Sequence, residues 1–296
     1  MCLDSKGLIM FKDYLKLLRP HQYLKNLFIF TPIIFGLQIS NQELLVKSFI
    51  AFIAFSLVAS SIYIFNDIKD LEEDKKHPSK KTRPITSGII SIKNGIITMI
   101  VLFVTGVCLA FFLNQYFLYI LLCYFCLNLL YSLWLKHISI VDISIIATGF
   151  VLRVFAGSIV VDIFASEWII IMTFLLALFL ALAKRRDDVL LMTTGEQTRK
   201  SIDGYNLEFI NASMIIMASI IIVAYIMYTL SPITIEKFNT NELYLTTVFV
   251  ITGLIRYMQV TFVENNSGSP TNILIKDRFL QLTILLWFTS FIIIIY

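Results

Sequence analysis

The feature that most constrains this chain is a series of long stretches that are apolar on every side. A strand of a membrane barrel alternates apolar and polar residues over about ten positions. Here the runs continue without alternation for about twenty residues, the length a helix needs to cross bilayer hydrocarbon. They predict transmembrane helices over 23–39, 43–66, 94–113, 116–134, 139–162, 167–183, 209–230, 243–263 and 279–296. Composition agrees: 58% of the 296 residues are hydrophobic and only 15% are charged, against about 25% charged in a soluble domain. The same figures exclude intrinsic disorder. Four cysteines are too few for a disulfide scaffold, and six prolines with eleven glycines exclude collagen-like sequence. The expected fold is all-α: a polytopic membrane helical bundle of nine transmembrane helices, one domain over 1–296. Residues 1–22 form an amphipathic basic segment rather than a signal peptide, because no uninterrupted apolar core precedes a small-residue cleavage site.

The lysines and arginines predict the orientation. Of the 24, all fall in the N-terminal segment or the even-numbered connections except Lys47 and Lys237, which lie opposite, and Arg153 and Arg256, which lie within spans. Short loops rich in Lys and Arg stay cytoplasmic. The expected setting is therefore the cell (inner) membrane, with the N-terminus and a basic face inside and the C-terminus outside. Attraction to anionic lipid accounts for most of these cations. No nucleic-acid partner is expected, and homo-oligomerisation is left open.

Two connections ask for more. The second, YIFNDIKDLEEDKKHPSKKTRPITSG, places Asn66, Asp67, Asp70 and Asp74 at the inner end of the second span. Spacings of three and four put the aspartates on one face of a continuing helix. Carboxylates that close repel one another unless a cation joins them, and hard oxygen ligands suit Mg²⁺, held with substrate phosphates. A solvated helix end neutralised by Lys69, Lys75 and Lys76 is the competing reading. Beyond the prolines, Lys80 and Arg83 are placed to hold phosphate oxygens. Metal and cations together would form a diphosphate clamp that stabilises a departing pyrophosphate.

The sixth connection, ALAKRRDDVLLMTTGEQTRKSIDGYNLEF, carries Lys184, Arg185 and Arg186, then Asp187 and Asp188, then Arg199, Lys200 and Tyr205. Lys184 and Asp188 are one helical turn apart and are candidates to pair. The remaining cations suit a second anionic group on a substrate. Polar groups inside spans are candidates for function: Asp142 and Arg153 share a face three turns apart, and Arg256, Asn128 and Tyr131 are candidates to line a cavity. For Arg153 and Arg256, structural pairing and phosphate binding are equally consistent with the sequence. Cys123 and Cys126 read as two buried thiols, and the scattered histidines give no metal-ligand spacing.

The N-D-x-x-D-x-x-x-D pattern of Asn66, Asp67, Asp70 and Asp74 on such a bundle resembles the first signature of the UbiA-type prenyltransferase superfamily, which implies a UbiA-like fold. RPHQYLKN at 19–26, HPSKKTRPITSG at 77–88, YSLWLKH at 131–137, GFVLRVFAG at 149–157 and KRRDDV at 184–189 extend the resemblance over nearly the whole chain. These stretches are most similar to the polyprenyl-phosphate phosphoribosyltransferase branch, typified by decaprenyl-phosphate enzymes. The resemblance implies Mg²⁺ held by Asp67, Asp70 and Asp74 with Asn66 assisting, phosphoribosyl diphosphate as donor, and a polyprenyl phosphate lipid as acceptor. Lys25, Lys80 and Arg83 would hold phosphate oxygens. The sequence departs from the prenyl-transferring pattern, whose sixth connection carries D-x-x-x-D. Here adjacent Asp187 and Asp188 follow a basic triplet, which suits the donor's extra 5-phosphate. An acceptor phosphate is already ionised at neutral pH, so no strong general base is needed. A prenyltransferase of the same superfamily and a cation-dependent transporter are the alternatives.

Overall fold

The computed structural model describes residues 5–76, 80–193, 204–265 and 270–295, with side chains from residue 12 onward except that of Thr193. Among them are eight helices long and apolar enough to cross a membrane, and the protein is a multi-pass membrane protein. The elements are α1 (Ser5–Leu18), a 3₁₀ segment (Pro20–Phe30), α2 (Thr31–Phe35), α3 (Gln42–Lys69), α4 (Leu71–Lys76), α5 (Ile92–Leu113), α6 (Gln115–Leu133), α7 (Val141–Val161), α8 (Glu167–Thr193), α9 (Leu207–Leu230), α10 (Pro232–Phe238), α11 (Thr247–Phe262), α12 (Pro270–Lys276) and α13 (Arg278–Ile295).

Eight of the nine expected spans coincide with long helices to within a few residues at most ends; the 243–263 span combines a 3₁₀ turn, Glu242–Thr246, with α11. The sixth differs: α8 runs on through the basic triplet to Thr193, so Lys184 to Asp188 lie on a helix rather than in a loop. The expected first span is not one α-helix. It is the 3₁₀ segment of 11 residues followed by the five residues of α2. At about 2.0 Å rise per 3₁₀ residue and about 1.5 Å per α residue, the two cover roughly 30 Å, the thickness of a hydrocarbon core.

The chain forms two compact units, residues 1–135 with 149–165, and 136–148 with 166–296. Without a hydrophobic drive between helices in lipid, close packing depends on small residues. In the first unit, α5 meets α3 at Gly106, where a Cβ would lie 2.8 Å from the Ala54 carbonyl oxygen. Phe55, Val58, Phe117, Leu121 and Ala156 complete that core. A smaller cluster of Leu17, Ile64, Ile85 and Ile90 pins the loop before α5 against the C-terminal end of α3. The core of the second unit gathers Phe179, Ile210, Met214, Leu254 and Tyr257. Large apolar side chains left exposed, such as Phe112, Val223 and Ile255, lie on spans, where lipid is the solvent.

Candidate functional site

The first polar cluster is built at the end of α3. The helix stops at Lys69, Asp70 caps it, and α4 begins at Leu71, yet the backbone ladder continues: Asp70 N–H donates to Asn66 O at 2.9 Å and Asp74 N–H to Asp70 O at 2.8 Å. The one-face spacing read from the sequence therefore survives the break for two carboxylates. Asp67 and Asp74, 1% and 2% exposed, are both reached by the Arg83 guanidinium, at 3.0 Å for Asp67 and closer for Asp74. Arg19 pairs with the same Asp67 oxygen, and Lys80 lies 3.8 Å from Asp74.

Arg83 owes its place to the loop. Pro84, Ile85 and Thr86 are buried, and Ser87 N–H and Ile90 N–H return to Arg83 O and Pro84 O. Arg19 sits at the N-cap of the 3₁₀ segment with φ of 54°, one of six non-glycine residues in the left-handed region among those described. Arg19 is the site residue that the charge count alone left among topology signals. Its position before Pro20 in RPHQYLKN was the available clue.

Two of the three lysines that the competing reading names bond other groups. Lys69 donates to the carbonyls of Ser132 and Leu133, and Lys75 pairs with Glu72. The predicted four-residue metal set is thus two buried carboxylates sharing one arginine. Beside them the buried Oδ1 of Asn66 has no hydrogen-bond partner among the described residues. Among the described residues, no three His, Cys, Asp or Glu side chains converge on one point. The donor set nonetheless fits a hard divalent cation. It offers oxygen ligands alone, a cation already stands between the carboxylates, and one oxygen is left over. His77 and Pro78 lie outside the described residues.

Lys25 is half-buried on the 3₁₀ segment, within electrostatic reach of Arg19 and Arg153. It has no carboxylate partner among the described residues. Arg153 is 4% exposed and also lacks a carboxylate. It donates to Asn26 Oδ1 at 2.8 Å, Gly149 O at 2.6 Å and Tyr124 Oη at 2.9 Å, and lies over the rings of Phe55, Tyr124 and Phe150. Of the two readings of Arg153, the structure realises internal bonding, and to neutral groups only.

The second cluster lies in the other unit. Asp142, fully buried, faces Arg185 Nε at 2.7 Å, and Arg185 also pairs with Asp188. The Tyr205 hydroxyl donates to Asp142 at 2.7 Å and accepts from Ile140 N–H at 2.6 Å. Burial, and then the bond to Asp142, push the Tyr205 hydroxyl above its ordinary range, so it stays a donor. Arg186 donates to Asn211 Oδ1, Thr261 O and Asn265 Oδ1.

Several sequence expectations change here. Asp188 pairs with Arg185, which α8 places at i, i+3. Asp142 pairs with Arg185 rather than sharing a role with Arg153. Arg185 and Arg186, read as phosphate ligands, are enclosed by internal partners. Arg256 takes the structural option, bonded to Asp277, Glu264 and Gln259, and Asn128 bonds the Tyr124 carbonyl. Tyr131 and Lys184 are half-buried. Cys123 and Cys126 are exposed on one outer face of α6 rather than buried, since three helical positions separate them. Arg199 and Lys200 lie outside the described residues.

Comparison with known proteins bears on this geometry. A protein named decaprenyl-phosphate phosphoribosyltransferase from Mycolicibacterium smegmatis is 29% identical over 284 residues, covering 92% of this chain and 89% of its own. One of the same name from Corynebacterium glutamicum is 27% identical over 287 residues, 95% of this chain and 86% of its own. Among solved structures, a UbiA homolog from Archaeoglobus fulgidus bound to GPP and Mg²⁺ superposes with a TM-score of 0.70 at 21% identity, over 94% of this chain and 98% of that one. The UbiA prenyltransferase family matches residues 29–191, more than half of the sequence, and the chain belongs to that family.

Proposed function

We propose that this protein is an Mg²⁺-dependent membrane transferase that moves the 5-phosphoribosyl group from phosphoribosyl diphosphate to a polyprenyl phosphate, with release of pyrophosphate. The observation that carries the reading is the Asn66–Asp74 turn: two buried carboxylates share Arg83 beside an amide oxygen that has no partner. Membership of a transferase family removes the motive for a transporter. The donor is supported by the relatives. Those named decaprenyl-phosphate phosphoribosyltransferase match over 92–95% of the chain. Those named digeranylgeranylglyceryl phosphate synthase match over 54–58%.

Asn66, Asp67 and Asp74, with Asp70 in the same turn, would hold Mg²⁺, whose charge when bound offsets that of a departing pyrophosphate. Arg19 and Arg83 keep 19% and 27% of their side chains exposed, so both can exchange carboxylate for phosphate oxygens as the donor arrives. Lys25 and Lys80 supply further cations for the same diphosphate. The bond between the ribose carbon and the pyrophosphate oxygen breaks with oxocarbenium character. The acceptor's phosphate oxygen forms the new bond to that carbon. That oxygen is already an anion, so no side chain has to remove a proton. In this reading the enzyme lies in the cell membrane with its N-terminus and acidic turn cytoplasmic and its C-terminus outside. The 3₁₀ segment and α2 supply the ninth crossing.

The test offers purified protein both donors, phosphoribosyl diphosphate and a prenyl diphosphate, with Mg²⁺ and polyprenyl phosphate. Consumption of the first alone is expected; consumption of the second alone establishes the prenyltransferase alternative.

A further inference from the structure

A 3₁₀ run of 11 residues is unusual, since such runs seldom exceed about four residues. Its burial pattern has a period of three. His21, Leu24 and Leu27 are exposed, Gln22, Lys25 and Phe28 are half-buried, and Tyr23, Asn26 and Ile29 turn inward, the last two fully buried. Side chains three apart eclipse one another in this geometry, so each set is one ridge.

The inward ridge is gripped from two sides. On α3, Tyr23 bonds Ser60 at 2.9 Å and Asn26 Nδ2 donates to Ser56 at 2.9 Å. Ser60 gives its own proton to Leu18 O at 2.8 Å, so the Tyr23 hydroxyl is the donor. On α7, Arg153 holds Asn26, and Gly157 packs so closely on Ile29 that a Cβ would fall 2.0 Å from its carbonyl oxygen. Three steps on the 3₁₀ segment thus meet four on each α-helix: 23 and 26 against 60 and 56, 26 and 29 against 153 and 157. Three 3₁₀ residues rise about 6 Å, and so do four α residues. An α-helical segment would keep neither pair of contacts in step.

We propose that Asn26 and Arg153 are positioning residues that lock residues 20–30 in 3₁₀ register and thereby aim Lys25 at substrate phosphate. The aim toward a donor rests on the function proposed above; the lock itself does not. A buried guanidinium with no counter-ion among the described residues is costly inside a membrane protein. Here it serves as the central tie, since Asn26 is the one residue bound to both flanking helices.

Two readouts separate the claims. The first needs no substrate: spin labels on single cysteines at 24, 27 or 28, in the full chain with its native cysteines replaced. Oxygen accessibility should be high at 24 and 27 and low at 28, which lies a third of a turn away in a 3₁₀ helix but only about 40° from 24 in an α-helix. Asn26→Ala, and more mildly Ser56→Ala, should raise accessibility at 28. Accessibility at 28 equal to that at 24 in the otherwise unaltered chain overturns the lock. The second is a binding cycle with phosphoribosyl diphosphate. Asn26→Ala and Lys25→Ala should each weaken binding about tenfold, and the double variant no more than Lys25→Ala alone. Additive losses overturn the positioning role. A wild-type protein with the three-residue period but no affinity for this donor supports the lock and overturns the donor assignment.

Discussion

The two polar clusters use the same residue types to opposite ends. At the Asp67 turn, one arginine serves two carboxylates, the arginines are partly exposed, and Asn66 Oδ1 stays unpartnered. Around Asp142, Arg185 is 1% exposed, Tyr205 donates to Asp142, and Asp188 pairs with Arg185. The first arrangement can trade partners with an arriving ligand; the second has no reason to. Charge alone does not distinguish a site from a brace. Exposure of the cation does.

The contrast breaks most sharply at Asp67. Asp67→Asn should lower pyrophosphate release by about 10³-fold, roughly 4 kcal/mol of transition-state stabilisation, with little change in thermal unfolding. Arg185→Met should do the reverse. Leaving Asp142 buried without its ion-pair partner costs about 3 kcal/mol of stability, read as a lowered unfolding temperature in detergent, while the donor KM of the folded fraction stays as it was. If Arg185→Met instead raises that KM with stability intact, the brace is a binding site.

Gly157→Ala tests the wall of the first unit. The added Cβ must push Ile29 O away, at a cost of about 2 kcal/mol, seen in unfolding and in the accessibility of a label at 28. The smallest effect belongs to Arg256 and Asp277, a partly exposed pair that sets the baseline. Hydrogen bonds from Arg256 hold the Asp277 carboxyl below its ordinary range. A lowered folded-state value gives stability that is complete above the unfolded carboxylate pKa of about 3.9 and lost as pH falls through the folded one. Asp277→Asn should therefore cost under about 1 kcal/mol at neutral pH, and the gap to wild type should close on acidification below about pH 4.

The long helices were legible because lipid demands apolar residues on every side, and that demand is written locally. The acidic turn was legible for the same reason: Asn66, Asp67 and Asp74 lie within nine residues. What could not be read depends on partners distant in sequence. Arg186 is held by Asn211, Thr261 and Asn265, and Arg185 by Asp142; a triplet of cations looks the same whether enclosed or open. The 3₁₀ segment was read as an α-helix because its composition suits either. Only the steps of Ser56 and Ser60 on one side and Arg153 and Gly157 on the other select between them.

The most direct measurement is Mn²⁺ binding, as a spectroscopic substitute for Mg²⁺, to purified protein with phosphoribosyl diphosphate present. The account predicts a bound ion that disappears in both Asp67→Asn and Asp74→Asn yet persists in Arg185→Met. Binding that survives both aspartate substitutions would contradict it.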